Sequence, residues 1–117
     1  MASSIPTAAR TTVQRRDQRC VRCGANGGNF HHRRRRKEDD EHTHCPCNGI
    51  LLCGSGTTGC HGWAHSHPKA ARELGLIVSA FVAEPSTIPV KTYRGWLLHD
   101  CTGRREPFPS ATPGGIT

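Results

Sequence analysis

The chain has 117 residues, a length that argues for one small domain and against two. Leu, Ile, Val and Phe make up only 19 of these residues, below the roughly 20% typical of ordered globular chains, so hydrophobic burial alone is not expected to fold the protein. Seven cysteines and eight histidines indicate bound metal as the missing source of stability. The net charge of +7 favours a polyanionic partner, most simply nucleic acid, over a membrane surface.

The sequence also predicts the compartment. No apolar run approaches the length of a membrane-spanning helix, and residues 1–12 lack the hydrophobic segment of a secretion signal. We therefore expect a cytoplasmic protein with no membrane partner. In a reducing cytoplasm the cysteines are expected to bind metal rather than form disulfides, and their odd number excludes a complete disulfide framework.

Both ends of the chain are predicted to be disordered. Residues 1–12 are rich in Ala, Ser and Thr, and residues 102–117 are rich in Gly and Pro. The folded domain is thus expected over residues 13–101. It begins with Cys20-Val-Arg-Cys23-Gly24, which has the form of a zinc knuckle, a tight turn that brings two thiolates together.

A hairpin and two helices are predicted next. Residues 30–35 and 48–53 have the length and composition of strands, and pairing them gives an antiparallel hairpin with a long charged loop. Residues 60–65 predict a helix. A second helical segment is expected to begin at Pro68, capped by Ser66 or His67, and to end at Gly75.

Two further strands, over residues 76–82 and 90–98, complete the predicted elements, so the expected fold class is α+β. The glycine-rich run over residues 54–59 superficially suggests a phosphate-binding loop. It lacks the Gly-Lys-Ser/Thr ending that binds the phosphates of a nucleotide, so no nucleotide cofactor is expected.

The spacing of His61 and His65 predicts a metal site. Residues four apart lie on one face of a helix, about 5–6 Å from each other, so both imidazoles can reach one ion at about 2.0–2.2 Å. A third nitrogen from the hairpin would complete a set of ligands on one side of the ion. The remaining coordination positions would be left open for water and phosphate.

A structural zinc ion is also predicted, and its natural ligands are Cys20, Cys23, Cys53 and Cys60. Residues 54–59 separate the last two, a longer gap than usual, which a flexible glycine-rich loop can close at modest entropic cost. Cys45 and Cys47 are rival ligands with a less convincing spacing. Cys101 has no predicted role.

These segments, in this order, resemble the HNH endonucleases, whose ββα-metal (His-Me finger) motif is a hairpin followed by a helix around one divalent ion. The matching stretches are Cys20-Val-Arg-Cys23-Gly24, Phe30-His-His-Arg-Arg, Asn48-Gly-Ile-Leu-Leu-Cys53 and Cys60-His-Gly-Trp-Ala-His65. Residues 52–65 are similar, more narrowly, to the small HNH proteins of bacteriophages, often encoded near the packaging terminase. The resemblance covers about residues 18–67, with the motif itself at about 30–67.

The resemblance implies a role for each motif residue. His32 would be the general base that takes a proton from water, and Asn48 would hold the base and the hairpin in position. The catalytic ion, which could be Mg²⁺, Mn²⁺, Ni²⁺ or Zn²⁺, would be bound by His31, His61 and His65. DNA hydrolysis would then leave 5′-phosphate and 3′-hydroxyl ends.

The resemblance also implies partners. DNA is the substrate, its phosphates contacted by Arg33 and Arg34, and the phage terminase and portal are further candidate partners. The alternative for the arginines is a solvated loop in which neighbouring acidic residues neutralise them. The alternative for the whole chain is a zinc-ribbon protein that binds nucleic acid without catalysis.

Four further histidines have no predicted role, and the positions of His31 and His32 set a condition on the first strand. His42, His44, His67 and His99 are interpreted as bystanders. Adjacent residues of a regular strand point to opposite faces, so His31 and His32 can both face one ion only if the strand bends or begins there.

Overall fold

The computed structural model describes residues 5–35 and 40–108, which form a small α+β fold. Helix α1 (Thr7–Asp17) precedes a hairpin of β1 (Asn29–His32) and β2 (Gly49–Leu52). Two helices and three strands follow: α2 (Gly59–Ser66), α3 (Pro68–Glu73), β3 (Val90–Thr92), β4 (Gly95–His99) and β5 (Arg105–Pro107). Within the described ranges, no helix is both long and apolar enough to cross a membrane.

The predicted hairpin is confirmed, although its first strand is shorter than expected. β1 pairs antiparallel with β2, placing Phe30 opposite Leu51 and His32 opposite Gly49. The Phe30 ring lies over Gly49, where a side chain would overlap it. β1 ends at His32 rather than at residue 35, and the side chains of the next two residues are both buried.

The two predicted helices are also confirmed. Pro68 occupies the first turn of α3, where its missing N–H costs nothing. Gly75 follows α3 with a φ of +74°, a conformation that favours glycine. Both helices pack on the hairpin through one core of buried apolar side chains, which includes Ile50, Leu52, Ala64, Ala71, Leu76 and Val90.

The expectation of a disordered arm over residues 1–12 is wrong for residues 7–12, which lie in α1. The sequence of this helix is polar, so its stability comes from contacts with the rest of the fold. Val13 packs against Phe30 and Leu51. The buried Arg16–Asp17 ion pair (2.7 Å) fixes the end of α1 to β2, because Asp17 Oδ2 accepts the Leu51 N–H at 3.0 Å.

The C-terminal predictions need three corrections. Residues 76–82 do not form a strand: Val78 makes only an isolated bridge with Arg34. Residues 90–98 are not one strand but the hairpin of β3 and β4. The tail predicted to be disordered contributes β5, which pairs with β4 and completes a three-stranded sheet. Residues 109–117 of that tail lie outside the described residues.

Candidate metal centres and cleft

The four cysteines predicted to bind structural zinc lie together. The sulfur atoms of Cys20, Cys23, Cys53 and Cys60 are all within 4.8 Å of one another. Cys23 Sγ and Cys53 Sγ are 3.8 Å apart. A tetrahedral zinc ion with Zn–S bonds of about 2.3 Å requires sulfur–sulfur separations of about 3.8 Å, so this cluster could hold zinc.

Backbone hydrogen bonds favour a thiolate at Cys20 of this cluster. The Gly24 N–H donates to Cys20 O at 2.9 Å and closes the knuckle. Burial raises the pKa of Cys20, but hydrogen bonds from the backbone of Cys23, Cys53 and Arg22 outweigh it and lower the pKa to about 7. Burial raises the pKa of Cys60 to about 12, although the Arg22 guanidinium, which donates to Cys60 Sγ at 3.4 Å, acts in the opposite direction.

The glycine-rich loop closes the gap between Cys53 and Cys60 as predicted. Gly54 and Gly59 both have positive φ, and a side chain at Gly54 would overlap the Thr58 carbonyl. Ser55 and Thr58 bond to each other across the turn. The loop therefore returns the chain so that the Cys60 N–H points at Cys53 Sγ, 3.4 Å away.

The three histidines predicted to bind a catalytic ion form a second cluster. His31 extends from β1 toward α2, which carries His61 and His65 one turn apart on the same face. The ring centroids are 5.0 Å apart for His31 and His61, 5.6 Å for His31 and His65, and 4.9 Å for His61 and His65. One donor nitrogen from each ring lies within 4.8 Å of the other two, so the triad could hold a metal ion.

The surroundings of His31 and His61 lower the pKa of both imidazoles, mainly through burial. His31 Nε2 lies 2.9 Å from the Leu76 carbonyl, which can only accept, so Nε2 carries the proton and Nδ1 keeps its lone pair. Burial lowers the pKa of His31 to about 4, so this ring is neutral at pH 7. His61 Nδ1 is buried with no hydrogen-bond partner among the described residues.

The two clusters share helix α2. Cys60 belongs to the cysteine cluster and His61 to the histidine triad, and they are adjacent in the first turn. The His61 N–H donates to Cys53 O at 3.0 Å, so the backbone of one cluster positions a residue of the other. Zinc bound by the cysteines would therefore fix the start of the helix that carries two of the three histidines.

His31 and His32 point to opposite faces of β1, as strand geometry requires. His32 lies on the same side of β1 as Phe30, and their ring centroids are 5.0 Å apart. Both histidines nevertheless line one open cleft of about 690 Å³, and β1 ends at His32. The base role implied for His32 requires access to this cleft and not direct contact with the ion.

His44, interpreted from sequence as a bystander, contacts the predicted base. Its Nδ1 lies 3.1 Å from His32 Nε2, and the ring centroids are 5.3 Å apart. No spacing rule connects these positions, which are brought together by the long loop of the hairpin. His44 therefore orients the His32 ring.

Asn48 is fully buried and its side chain bonds to the backbone of two segments. Its Oδ1 accepts the Arg34 N–H at 2.7 Å, and its Nδ2 donates to Thr43 O at 3.0 Å. Its own carbonyl accepts the Arg33 N–H at 2.8 Å. Asn48 thus fixes the chain immediately after His32 to the loop that carries His44.

Arg33 and Arg34 are not placed to contact DNA, which corrects the sequence prediction. Arg33 is 1% exposed and Arg34 7%. The Arg33 guanidinium donates to four backbone carbonyls, those of Cys47, Gly75, Pro85 and Ile88. Arg34 donates to the carbonyls of Val82 and Ala83 and to Asp40. These hydrogen bonds hold the segment between α3 and β3 against the hairpin.

Other arginines lie at the cleft. Arg35 and Arg72 are exposed and line it together with the histidine triad and His32. Arg36, which follows them in the basic run, lies outside the described residues. Among the described residues that line the cleft, Arg35, beyond the end of β1, and Arg72, on α3, are the exposed cations that an anionic ligand could reach.

The remaining cysteines form a cluster that the sequence analysis missed. Cys45 and Cys47, the rival ligands for the first zinc, lie apart from it, with Cys101 and His42. A CysXCys pair after a histidine was the local signal. The fourth member is 54 residues beyond Cys47 along the chain, so spacing alone could not connect them.

No protein-family model, curated protein or solved structure matches this chain. The function of the chain must therefore be inferred from its own residues. They define a small α+β protein with clusters of cysteine and histidine that could bind metal ions such as zinc.

Proposed function

We propose that this protein is a metal-dependent endonuclease of the HNH type that hydrolyses DNA phosphodiester bonds. The observation that carries the proposal is the triad of His31, His61 and His65 in the wall of an open cleft that also contains His32. A closed structural site has no use for such access, whereas a catalytic ion needs open positions for water and phosphate.

His32, Asn48 and the triad have separate roles in this reaction. His32 accepts the proton of the attacking water, and its contact with His44 keeps the ring in one orientation. Asn48 holds the backbone beyond His32, so it is a positioning residue. The ion held by the triad would stabilise the negative charge that develops on the phosphate oxygens and the leaving 3′ oxygen.

The charge of the cleft supports a polyanionic substrate. Arg35 and Arg72 extend into solvent at its edge, and the whole chain carries a net charge of +7. Contacts with phosphate give affinity without reading base sequence. DNA bound across the cleft would place one phosphate beside the triad and its neighbours against these arginines.

The proposal is tested by cleavage of supercoiled plasmid with purified protein, first stripped of loosely bound metal and then supplied with Mg²⁺, Mn²⁺, Ni²⁺ or Zn²⁺. Wild type is expected to cut with at least one ion. The His61→Ala, His65→Ala double variant is expected to bind DNA but not cut it, because the ion lacks two of three ligands. Products should carry 5′-phosphates, seen by end-labelling with and without phosphatase.

Two other outcomes would overturn parts of the proposal. If wild type binds DNA tightly and never cuts under any ion, the chain is better explained as a zinc-ribbon binding protein. If cutting appears only after addition of a packaging terminase, the activity belongs to an assembly and the isolated domain is not the enzyme.

Replacement of Arg72 by Gln is expected to weaken DNA binding equally for all sequences. A lost phosphate contact should reduce the slope of log Kd against log salt concentration by about one unit. Lys69→Gln is the matched control, because Lys69 is exposed on the same helix but does not line the cleft. Equal salt slopes for the two variants would contradict a role for Arg72 in binding DNA.

A further inference from the structure

The cluster of His42, Cys45, Cys47 and Cys101 has the geometry of a closed zinc site. His42 Nδ1 lies 3.9 Å from Cys47 Sγ and 3.9 Å from Cys101 Sγ. All four donor atoms lie within 4.8 Å of one another. These separations match the edges of a tetrahedron around zinc, which are about 3.5–3.8 Å for bonds of about 2.0–2.3 Å.

The local backbone brings the ligands of this cluster together without strain. Pro46 begins a 3₁₀ turn that reverses the chain between Cys45 and Cys47, and the Cys47 N–H points at Cys45 Sγ, 3.5 Å away. Cys47 is fully buried, Cys45 and His42 are half-buried and Cys101 is exposed. Cys101 lies in the turn between β4 and β5, so the cluster joins the C-terminal sheet to the loop of the first hairpin.

The two cysteine clusters together contain all seven cysteines of the chain. The odd number of cysteines, which rules out complete disulfide pairing, is accounted for by four ligands in one cluster and three with one histidine in the other. Cys₄ and Cys₃His are both ligand sets of structural zinc sites.

We propose that His42, Cys45, Cys47 and Cys101 bind a second structural zinc ion. The four protein ligands complete a tetrahedron, so this ion has no open position and takes no part in chemistry. The ion joins two segments 54 residues apart, those of Cys47 and Cys101. It fixes the C-terminal sheet of β3, β4 and β5, just as the zinc ion of the first cysteine cluster fixes the start of α2.

This second zinc ion is also placed to hold the hairpin loop that carries His44. His44 lies between two ligands in sequence and contacts His32. Cys47 precedes Asn48, and its carbonyl accepts a hydrogen bond from Arg33 at 3.0 Å. The zinc site itself does not depend on the nuclease proposal, whereas its effect on His32 does.

The number of zinc ions bound to the intact protein, measured by native mass spectrometry, tests the site independently of nuclease activity. In the His61→Ala, His65→Ala background, which removes the triad as a source of bound zinc, we expect two zinc ions per full-length chain. Adding Cys101→Ser should leave one, and Cys101→His should restore two because imidazole is also a zinc ligand. Cys101 is suited to this test because its side chain is exposed and outside the core.

Cobalt substitution gives a second readout that survives poor folding of the serine variant. Tetrahedral Co²⁺ bound by thiolates absorbs in the near ultraviolet in proportion to the number of thiolates. Seven are expected in the parent and six in Cys101→His. One zinc ion in the parent, or an unchanged cobalt spectrum in Cys101→His, would overturn the proposal.

The positioning effect is measured separately with the triad intact. Cys101→Ser is expected to lower kcat for plasmid cleavage by about 10-fold with little change in KM, the size of effect typical of residues that act through a neighbour, and Cys101→His should recover it. Unchanged kcat with one zinc ion lost would retain the zinc site and overturn its link to His32. Absence of cleavage by wild type would count against the nuclease proposal alone.

Discussion

Replacement of His32 by Ala is expected to lower kcat for DNA cleavage by about 10²–10⁴-fold, the usual contribution of a general base. The side chain lies at the end of β1, half-exposed in the cleft, and is not a member of the metal triad. Metal content, DNA affinity and melting temperature should therefore remain close to those of wild type. Single-turnover cleavage at saturating protein isolates the chemical step from binding.

His67→Ala is the matched control for this experiment. His67 is an exposed histidine that stacks on Trp63, with ring centroids 5.2 Å apart, and does not line the cleft. Its variant should cut at the wild-type rate. Wild-type cleavage by a folded His32→Ala protein would contradict the base assignment and would leave the triad to activate water without help from this residue.

The parts of the site that sequence predicts well are those fixed by local geometry. His61 and His65 lie on one helical face because four residues complete about one turn, whatever surrounds the helix. Cys20 and Cys23 converge because Gly24 adopts a φ of +80°. The second strand of the hairpin forms as predicted because its apolar run is buried along its whole length.

The parts that sequence does not predict depend on distant segments. Arg33 looks like a phosphate ligand in a run of basic residues, yet three of the carbonyls that bury it come from residues 75–88. A buried guanidinium needs this many acceptors, and only the folded chain supplies them. α1 is similar: its polar sequence resembles a disordered arm until Val13 and Arg16 find partners on β2 and its surroundings.

Loss of the first cysteine cluster, which contains Cys20, should have the largest effect on the stability of the protein. Cys20→Ser, which disables this cluster alone, is expected to unfold the protein, and so is a strong chelator, which would remove the zinc ions of both cysteine clusters. Structural zinc binding contributes about 10–16 kcal/mol in small zinc domains, which matches or exceeds the roughly 5–15 kcal/mol by which a folded domain is stable. With so few large apolar residues, this chain has little other stability to lose.

Circular dichroism and zinc content, followed during chelator titration, measure this effect, and added zinc should restore the spectrum. Unfolding should also remove the metal triad, because the start of α2 depends on Cys60 and on the hydrogen bond from His61 to Cys53 O. His65→Ala provides the contrast: it removes a ligand of the triad from the exposed end of the same helix and should abolish cutting while the fold persists. A Cys20→Ser protein with a wild-type spectrum would show that the apolar core folds alone. Stability and catalysis would then be separable at α2, and the cysteine cluster would no longer explain how the histidines are positioned.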